Sequence, residues 1–405
     1  ITQESITRGL GAAPIDPQTV YSMAYDIAIH SEHDQITAGC LTAALILCCP
    51  ALASELTNLR IDRVSIERGL HWQHQILERY FTPKKRELFG GIARDWSSGY
   101  TPILDQYGEN ISKAIESGYT MFSGAARTDV IDQMIQIIGR PGRNGVALVA
   151  PLGSGKSSLV YALAEKMLKG EEGTGTLAYM EIVKLDANLI TSRVDQNLSI
   201  DQIMEQIFYD AVHAHNVILF LDEAQLFMDS AAGSVDVSHI IMQVLEQTKM
   251  PIILALNPVD WHTYSTTKSA LMTQLTKIDL VELDEEQVIR ILEDFSLPLE
   301  AQAKAIVAYP ALKEVYDLSN RYIAEKAFPA KAIDLLQDSM NYAENGLVTS
   351  NSVKMAIEKT TGAKVTEVTQ AERSELLNLE DNIHRRMINQ VHAVKTVAEA
   401  LRRSR

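Results

Sequence analysis

A glycine-rich segment, APLGSGKS at residues 150–157, lies directly after an apolar stretch of strand character and directly before the amphipathic stretch SLVYALAEKML. In a strand–loop–helix unit of this kind, successive backbone N–H groups point inward and, together with the helix N-terminus, bind phosphate oxygens. The flanking strand and helix favour this reading over a chance match of a short pattern. The segment therefore predicts a nucleotide-binding α/β fold.

The polar groups of this loop have separate expected roles. Gly153 and Gly155 permit the backbone angles of the turn. Lys156 reaches the β and γ phosphates, and the Ser157 hydroxyl ligates magnesium. Ala150 stands where such loops usually open with glycine, which is a departure at the loop entry. The residues predicted to contact nucleotide in this loop are Gly153, Ser154, Gly155, Lys156, Ser157 and Ser158.

A second signal is the apolar strand VILFL followed by Asp222 and Glu223. A carboxylate at that place supports magnesium through water, and the next one polarises the attacking water. We therefore predict Asp222 as a metal-site residue and Glu223 as a catalytic residue. The alternative is an acidic turn that merely ends a buried strand.

Asn257 ends the next apolar strand, PIILALN. Its amide could orient the attacking water against the γ phosphate, although Asn is common at strand ends for conformational reasons alone. Its place after the acidic strand makes it a candidate catalytic residue.

The rest of the pattern predicts the architecture. Residues 17–80 have helical periodicity, and glycine, serine and proline between residues 84 and 102 are typical of a linker. Four strands, at residues 146–150, 179–186, 216–223 and 251–257, alternate with amphipathic helices, which predicts a parallel sheet covered on both faces. After about Val281 we expect helices only, with helical periodicity in DEEQVIRILEDF, EAQAKAIVAY and the segments that follow them, which form a helical lid.

Charge and cysteine content exclude other classes. The 37 Lys and Arg against 52 Asp and Glu leave a net charge of −15, which disfavours binding to nucleic acid or to acidic membranes through bulk charge. The three cysteines lie in one short stretch, and no signal peptide is visible, so we expect a reduced, cytoplasmic protein. The nearly uncharged run at residues 36–53 approaches the length of a membrane span, but its acidic flanks and internal glycine and proline favour buried helices.

In these motifs the chain resembles the first ATPase module of the Clp chaperone and unfoldase family within the AAA+ ATPases. The resemblance rests on the phosphate loop, on VILFLDE and on LSNRYIAEKAFPAKAIDLL. The segment HSEHDQITAGCLTAALI resembles a repeat of the Clp amino-terminal domain, and the region from TEVTQAERSELL onward resembles the start of a second module. The domains expected from it are a helical Clp-type amino-terminal domain at 1–83, a linker at 84–103, an AAA+ α/β subdomain at 104–281, a helical lid at 282–361 and the beginning of a second module at 362–405.

The resemblance implies an ATPase that uses ATP and Mg²⁺, forms hexameric rings and remodels protein substrates. It also implies adaptor proteins and a Clp-type protease as partners, without nucleic acid or membrane. Lys331 matches the basic lid position that senses the γ phosphate, although a solvated helix lysine is an equal alternative. No large middle domain is present between the lid and the following linker, so ClpA-like and ClpC-like members fit best.

Two departures from the family pattern leave a second hypothesis open. Thr273 and Gln274 stand where the family has its arginine fingers, whose loss removes several powers of ten in rate. The segment expected to face a ring pore has Arg193 and Val194 but no aromatic residue. The alternative to a remodelling ATPase is thus a nucleotide-stabilised scaffold or regulatory module with weak or no hydrolysis. A third reading, an AAA+ protein acting on nucleic acid, is opposed by the acidic charge balance.

Overall fold

The computed structural model describes most of the chain in ten segments. They are residues 16–31, 35–49, 62–81, 101–117, 127–140, 142–187, 190, 200–229, 236–248 and 250–362. By its internal contacts the chain divides into two compact units, Ile1–Val353 and Lys354–Arg405. Every described element lies in the first unit except the last helix, most of which falls in the second.

The elements alternate between helices and short strands. The helices are α1 (Pro17–His30), α2 (Ala38–Cys48), α3 (Arg63–Phe81), α4 (Pro102–Tyr107), α5 (Ile111–Glu116), α6 (Thr128–Ile138), α7 (Lys156–Lys169), α8 (Ile200–Ala214), α9 (Ser238–Gln247), α10 (Pro258–Thr267), α11 (Ser269–Gln274), α12 (Glu285–Ala303), α13 (Tyr309–Tyr322), α14 (Ala330–Met340) and α15 (Ser350–Thr361). The strands are β1 (Gly108–Asn110), β2 (Gly145–Val149), β3 (Glu181–Leu185), β4 (Val217–Leu221), β5 (Ile252–Leu256), β6 (Leu275–Asp279), β7 (Ile306–Val307) and β8 (Leu347–Val348).

The first six strands form one sheet in the order β1-β3-β4-β5-β2-β6, and all neighbours pair in parallel except β1 with β3. The predicted parallel sheet is thereby confirmed, and each of the four predicted strands is present. The edge strand β6 was not among those four, and neither was the antiparallel edge strand β1. Strand β1 has three residues, too few to show a period of two in the sequence.

The sheet is buried on both faces because successive side chains of a strand alternate between them. On β4, Ile218 and Phe220 belong to the core under α5, α6 and α7, whereas Leu219 and Leu221 belong to the core under α8 and α9. All five residues of β2, β4 and β5 are buried. These strands therefore read as continuous apolar runs, as expected for a parallel sheet between two helical layers.

The region after β6 is a helical lid, as predicted, with one addition. Strands β7 and β8 pair in parallel, and the backbone N–H of Ile306 donates to the carbonyl of Gly346 at 2.8 Å. The expectation of helices only was therefore wrong at this point, because a two-residue strand has no sequence period and depends on its distant partner. The helix expected in DEEQVIRILEDF is present as part of α12, which continues through Pro298 to Ala303, whereas Ile306–Val307 in the segment EAQAKAIVAY is strand.

The described residues between Pro17 and Phe81 form helices, as their periodicity predicts. Asp16 caps α1 by accepting from the backbone N–H of Gln18 and Thr19, and Thr37 caps α2. Apolar residues of the two helices pack together, as the buried Val20, Ala24, Ile27, Cys40 and Ala44 do. The apolar run beginning at Ile36 forms the 11-residue helix α2, and none of the described helices is long and apolar enough to cross a membrane.

Candidate nucleotide-binding site

The sheet order brings the predicted motifs to one edge. Strands β2, β5 and β4 are neighbours and run in parallel, so their carboxyl ends lie side by side. The phosphate loop follows β2, Asp222 follows β4, and Asn257 follows β5. Ligands of open α/β sheets bind at this edge, and the three motifs form one cleft there.

Two glycines give the loop its shape. Gly153 and Gly155 have φ angles of +82° and +85°, in the left-handed region that only glycine adopts without strain. Gly155 directly precedes α7, so the first N–H groups of a 14-residue helix face the cleft. A Cβ atom at Gly153 would lie 2.8 Å from the Cβ atom of Ala330, which shows how closely the loop meets the lid.

The Lys156 ammonium lies across the inside of the loop. Its Nζ donates to the carbonyl oxygens of Ala150 at 2.8 Å and Pro151 at 3.1 Å. Burial lowers the pKa of Lys156 below its ordinary value, and the nearby carboxylates, above all Asp222, act in the opposite direction. The loop thus holds a charged donor where phosphate oxygens would be bound.

Ser157 and Asp222 are joined directly. The Ser157 Oγ donates to Asp222 Oδ2 at 2.8 Å, so the predicted metal ligand and the predicted metal-supporting carboxylate meet. A hydroxyl and one carboxylate leave room for phosphate oxygens and water, which is the usual ligand set of magnesium in nucleotide sites.

Lys184 is a contact that sequence reasoning missed. Its Nζ lies 2.9 Å from Asp222 Oδ2. Burial by itself lowers the pKa of Lys184, but the hydrogen bond and charge of Asp222, with Glu109 and Asp186 nearby, outweigh it and raise the pKa overall. The only sequence signal was a lysine next to the apolar residues of the strand segment EIVKL.

The two predicted catalytic residues lie in the cleft. Glu223 is exposed and has a φ of 53°, a left-handed conformation that is uncommon outside glycine and often found at functional sites. Asn257 precedes α10 but makes no side-chain capping hydrogen bond to it. Both residues line the cleft.

The lining of the cleft combines the loop, the strand ends and the lid. It consists of Leu152, Gly153, Ser154, Gly155, Lys156, Ser157, Ser158, Asp222, Glu223, Gln225, Ala255, Asn257, Pro329, Ala330 and Ile333. Six of these were not predicted, namely Leu152, Gln225, Ala255, Pro329, Ala330 and Ile333. The Ser154 hydroxyl is buried and has no hydrogen-bond partner among the described residues. An unpaired buried hydroxyl in a loop of inward N–H groups fits a bound phosphate, and these residues therefore fit a magnesium nucleotide.

The lid contacts the loop through backbone. The N–H of Ala327 donates to the carbonyl of Leu152 at 3.0 Å, and the N–H of Ala330 donates to the carbonyl of Gly153 at 3.2 Å. Lys331 is not brought to the cleft with the other predicted residues. Its Nζ lies 3.4 Å from Glu282 Oε1 and 3.9 Å from the centre of the Phe328 ring.

The remaining predictions concern the ring contacts. Thr273 and Gln274 end α11, directly before β6, and the Thr273 hydroxyl donates to the carbonyl of Ala270. The described residues of α11 include no arginine, in agreement with the reading of the sequence. Arg193 and Val194 of the expected pore segment lie outside the described residues.

Comparisons with known proteins agree with this geometry. Residues 146–282 match the family described as "ATPase family associated with various cellular activities (AAA)", and residues 284–391 match the AAA lid domain. The phosphate loop, Asp222, Glu223 and Asn257 lie within the first match.

Individual relatives have low sequence identity to this chain, but their alignments cover most of it. An "ATP-dependent Clp protease ATP-binding subunit ClpA homolog" of Guillardia theta is 24% identical over 378 residues, covering 76% of this chain and 46% of that protein. The Bacillus subtilis "Negative regulator of genetic competence ClpC/MecB" is 22% identical over 375 residues, covering 76% of this chain and 46% of that protein. The chain thus spans about half the length of the curated relatives it matches.

Solved structures show the same fold. The complex of Saccharomyces cerevisiae Hsp104 with casein, in an extended conformation, has a TM-score of 0.62 and 20% identity, and the match covers 75% of this chain and 53% of that one. The Hsp104–ADP complex has a TM-score of 0.61 and 19% identity, with the same coverage.

Proposed function

The chain belongs to the AAA family of ATPases and has Clp proteins among its relatives, and from this premise we propose that it binds ATP with Mg²⁺ and couples ATP hydrolysis to the remodelling or unfolding of proteins. The observation that carries the proposal is the hydrogen bond from Ser157 to Asp222. It joins the phosphate loop to the acidic strand end in the arrangement that metal-assisted phosphoryl transfer needs.

Each residue then has a role in binding. The N–H groups at the start of α7 and the Lys156 ammonium bind the phosphates, with Gly153, Ser154, Gly155 and Ser158 shaping and completing the loop. Ser157 would hold the metal and Asp222 would support it. Bound Mg²⁺ would neutralise charge on the β and γ phosphates.

Hydrolysis needs an oriented water and a base. Glu223 accepts a proton from the water as its oxygen attacks the γ phosphorus, and the bond from that phosphorus to the β–γ bridging oxygen breaks, releasing ADP and phosphate. Asn257 orients the water from the neighbouring strand end. Lys331 stays a proposed γ-phosphate sensor, and to act so its ammonium must leave Glu282.

The assembly and partners follow from the relatives as proposals. We place the chain in a ring, a hexamer by the family pattern, that acts in the cytoplasm on protein substrates or on proteins delivered by adaptors, in some assemblies with a Clp-type protease. The absence of arginine in α11 favours the alternative, a scaffold with weak or no hydrolysis. The family of remodelling ATPases to which the relatives belong, together with Lys156, Asp222 and Glu223, favours turnover.

Phosphate release by the whole chain tests the proposal. Lys156→Ala is expected to abolish nucleotide binding, and Glu223→Gln to abolish turnover while nucleotide still binds. The controls are Lys169→Ala, at the exposed far end of α7, and Glu246→Gln, exposed on α9. Mass measurement with ATP present checks ring formation. If the chain binds nucleotide but shows no hydrolysis that is lost in Glu223→Gln, the scaffold is established instead.

A further inference from the structure

Lys184 is placed unusually for a charged residue. It lies in β3, between Glu109 of β1 and Phe220 of β4 in the strand register. The other four residues of β3 are buried, and only Lys184 is partly exposed. A lysine in the interior of a sheet needs a partner for its charge, because the burial of an unpaired ammonium is costly.

The partner is the carboxylate that ends the next strand. Ile182 and Lys184 are two residues apart on β3, so they point to the same face of the sheet. Because Lys184 is in register with Phe220, its side chain extends forward by two residues to reach Asp222. The length of the lysine side chain matches this offset.

Asp222 Oδ2 therefore has two donors. Lys184 Nζ lies 2.9 Å from it and Ser157 Oγ lies 2.8 Å from it. The same hydroxyl and carboxylate form the proposed magnesium site, so the ammonium and the metal act on one carboxylate. Lys184 itself does not line the cleft, whereas Asp222 does. Its influence on nucleotide must therefore pass through Asp222 and through its charge.

We propose that Lys184 is a positioning residue that holds Asp222 and supplies a second positive charge, besides Lys156, at the metal end of the nucleotide site, so that a nucleoside triphosphate binds with weak dependence on Mg²⁺. The proposal rests on the proposed function and adds to it which protein cations neutralise the bound phosphates besides Mg²⁺. A unit charge within several ångströms of another changes a binding constant by about tenfold or more at the effective dielectric constant of a protein surface. The ammonium also competes with Mg²⁺ for Asp222.

The experiment measures the dissociation constant of a fluorescent ATP analogue, once in EDTA and once across a Mg²⁺ titration, with the whole chain. For the unmodified chain the constant in EDTA is expected within about tenfold of that in saturating Mg²⁺. Lys184→Met is expected to raise this ratio by about tenfold and to lower the Mg²⁺ concentration at half-saturation, because charge is lost and Asp222 is released.

Two further variants separate charge from geometry. Lys184→Arg keeps the cation and is expected to restore the ratio, whereas Lys184→Gln keeps a donor for Asp222 without the charge and is expected to raise the ratio as Lys184→Met does. The matched control is Lys277→Met, because Lys277 lies on β6 of the same sheet, 2.7 Å from Asp279, and does not line the cleft. Thermal unfolding identifies variants that are folded.

The outcomes are distinct. A folded Lys184→Gln or Lys184→Met variant with the ratio of Lys277→Met overturns the proposal. If the unmodified chain binds nucleotide, Lys156→Ala abolishes that binding and the Lys184 variants keep the ratio, the proposed function stands and only the role of Lys184 fails. If the unmodified chain binds no nucleotide in either condition, both fail.

Discussion

Ser157 Oγ donates a 2.8 Å hydrogen bond to Asp222 Oδ2 across 65 residues of sequence. The bond joins the first turn of α7 to the end of β4, two strands away from β2 in the sheet. Because a hydroxyl and a carboxylate are both oxygen ligands, this pair sets where a divalent cation would be held beside the phosphates.

Ser157→Ala is expected to weaken nucleotide binding in Mg²⁺ by about tenfold while the affinity in EDTA changes little, because the metal loses a ligand and the loop backbone remains. Isothermal titration with and without Mg²⁺ measures this. Ser265→Ala, which removes a hydroxyl that donates within α10, is the control. An equal loss of affinity in both conditions would contradict a role in metal binding.

Asn257→Ala is expected to lower the rate of ATP hydrolysis by about 100-fold at unchanged nucleotide affinity, since its amide is proposed to act on the attacking water and not on the bound phosphates. Single-turnover hydrolysis checks the rate. The exposed Asn341 at the end of α14 provides the control Asn341→Ala. A weakened affinity with an unchanged rate would place Asn257 among the binding residues instead.

Gly153→Ala is expected to cost about 1–3 kcal/mol of unfolding free energy because of its left-handed φ, and also to separate the loop from the lid. A Cβ at Gly153 would lie 2.8 Å from Ala330, whereas a Cβ at Gly173, with a φ of +90°, would meet nothing within 4 Å. Gly173→Ala therefore introduces the backbone strain of a positive φ without a steric contact. Denaturant unfolding and nucleotide affinity are measured for both, and equal effects would show that the lid contact contributes nothing.

Glu293→Gln is expected to flatten the dependence of stability on pH. Burial raises the pKa of Glu293 from 4.5 to about 8, with Asp294 acting in the same direction and Arg290 and Arg68 opposing it. The folded chain therefore keeps a proton that the unfolded chain releases, and the free energy of unfolding falls as pH rises from 4.5 to about 8, by up to ~1.4 kcal/mol per pH unit.

Above about pH 8 this contribution no longer changes, because Glu293 is ionised in both states. Denaturant unfolding at several pH values, for the unmodified chain, Glu293→Gln and the exposed-site control Glu246→Gln, tests the expectation. An identical pH profile for the first two would show that Glu293 is not the titrating group.

Local pattern predicted much of the candidate site. The loop at residues 150–157 needs particular residue types in a short span, and Asp222 and Asn257 follow strands whose apolar composition is visible in the sequence. In a parallel sheet the carboxyl ends of strands share one edge, so strand identity alone predicts that such residues converge. The short strands β1, β7 and β8 escaped prediction because pairing, not composition, makes them strands.

The sequence by itself determined which residues are proposed to carry phosphate and water chemistry, because their spacing within single strand–loop–helix units is local. Only the tertiary structure decided which charges meet. Lys184 reaches Asp222 because β3 lies beside β4 in one register, and Lys331 lies beside Glu282 and is not among the residues that line the cleft. Such pairings depend on strand order, register and side-chain direction between distant segments, and no local pattern encodes them.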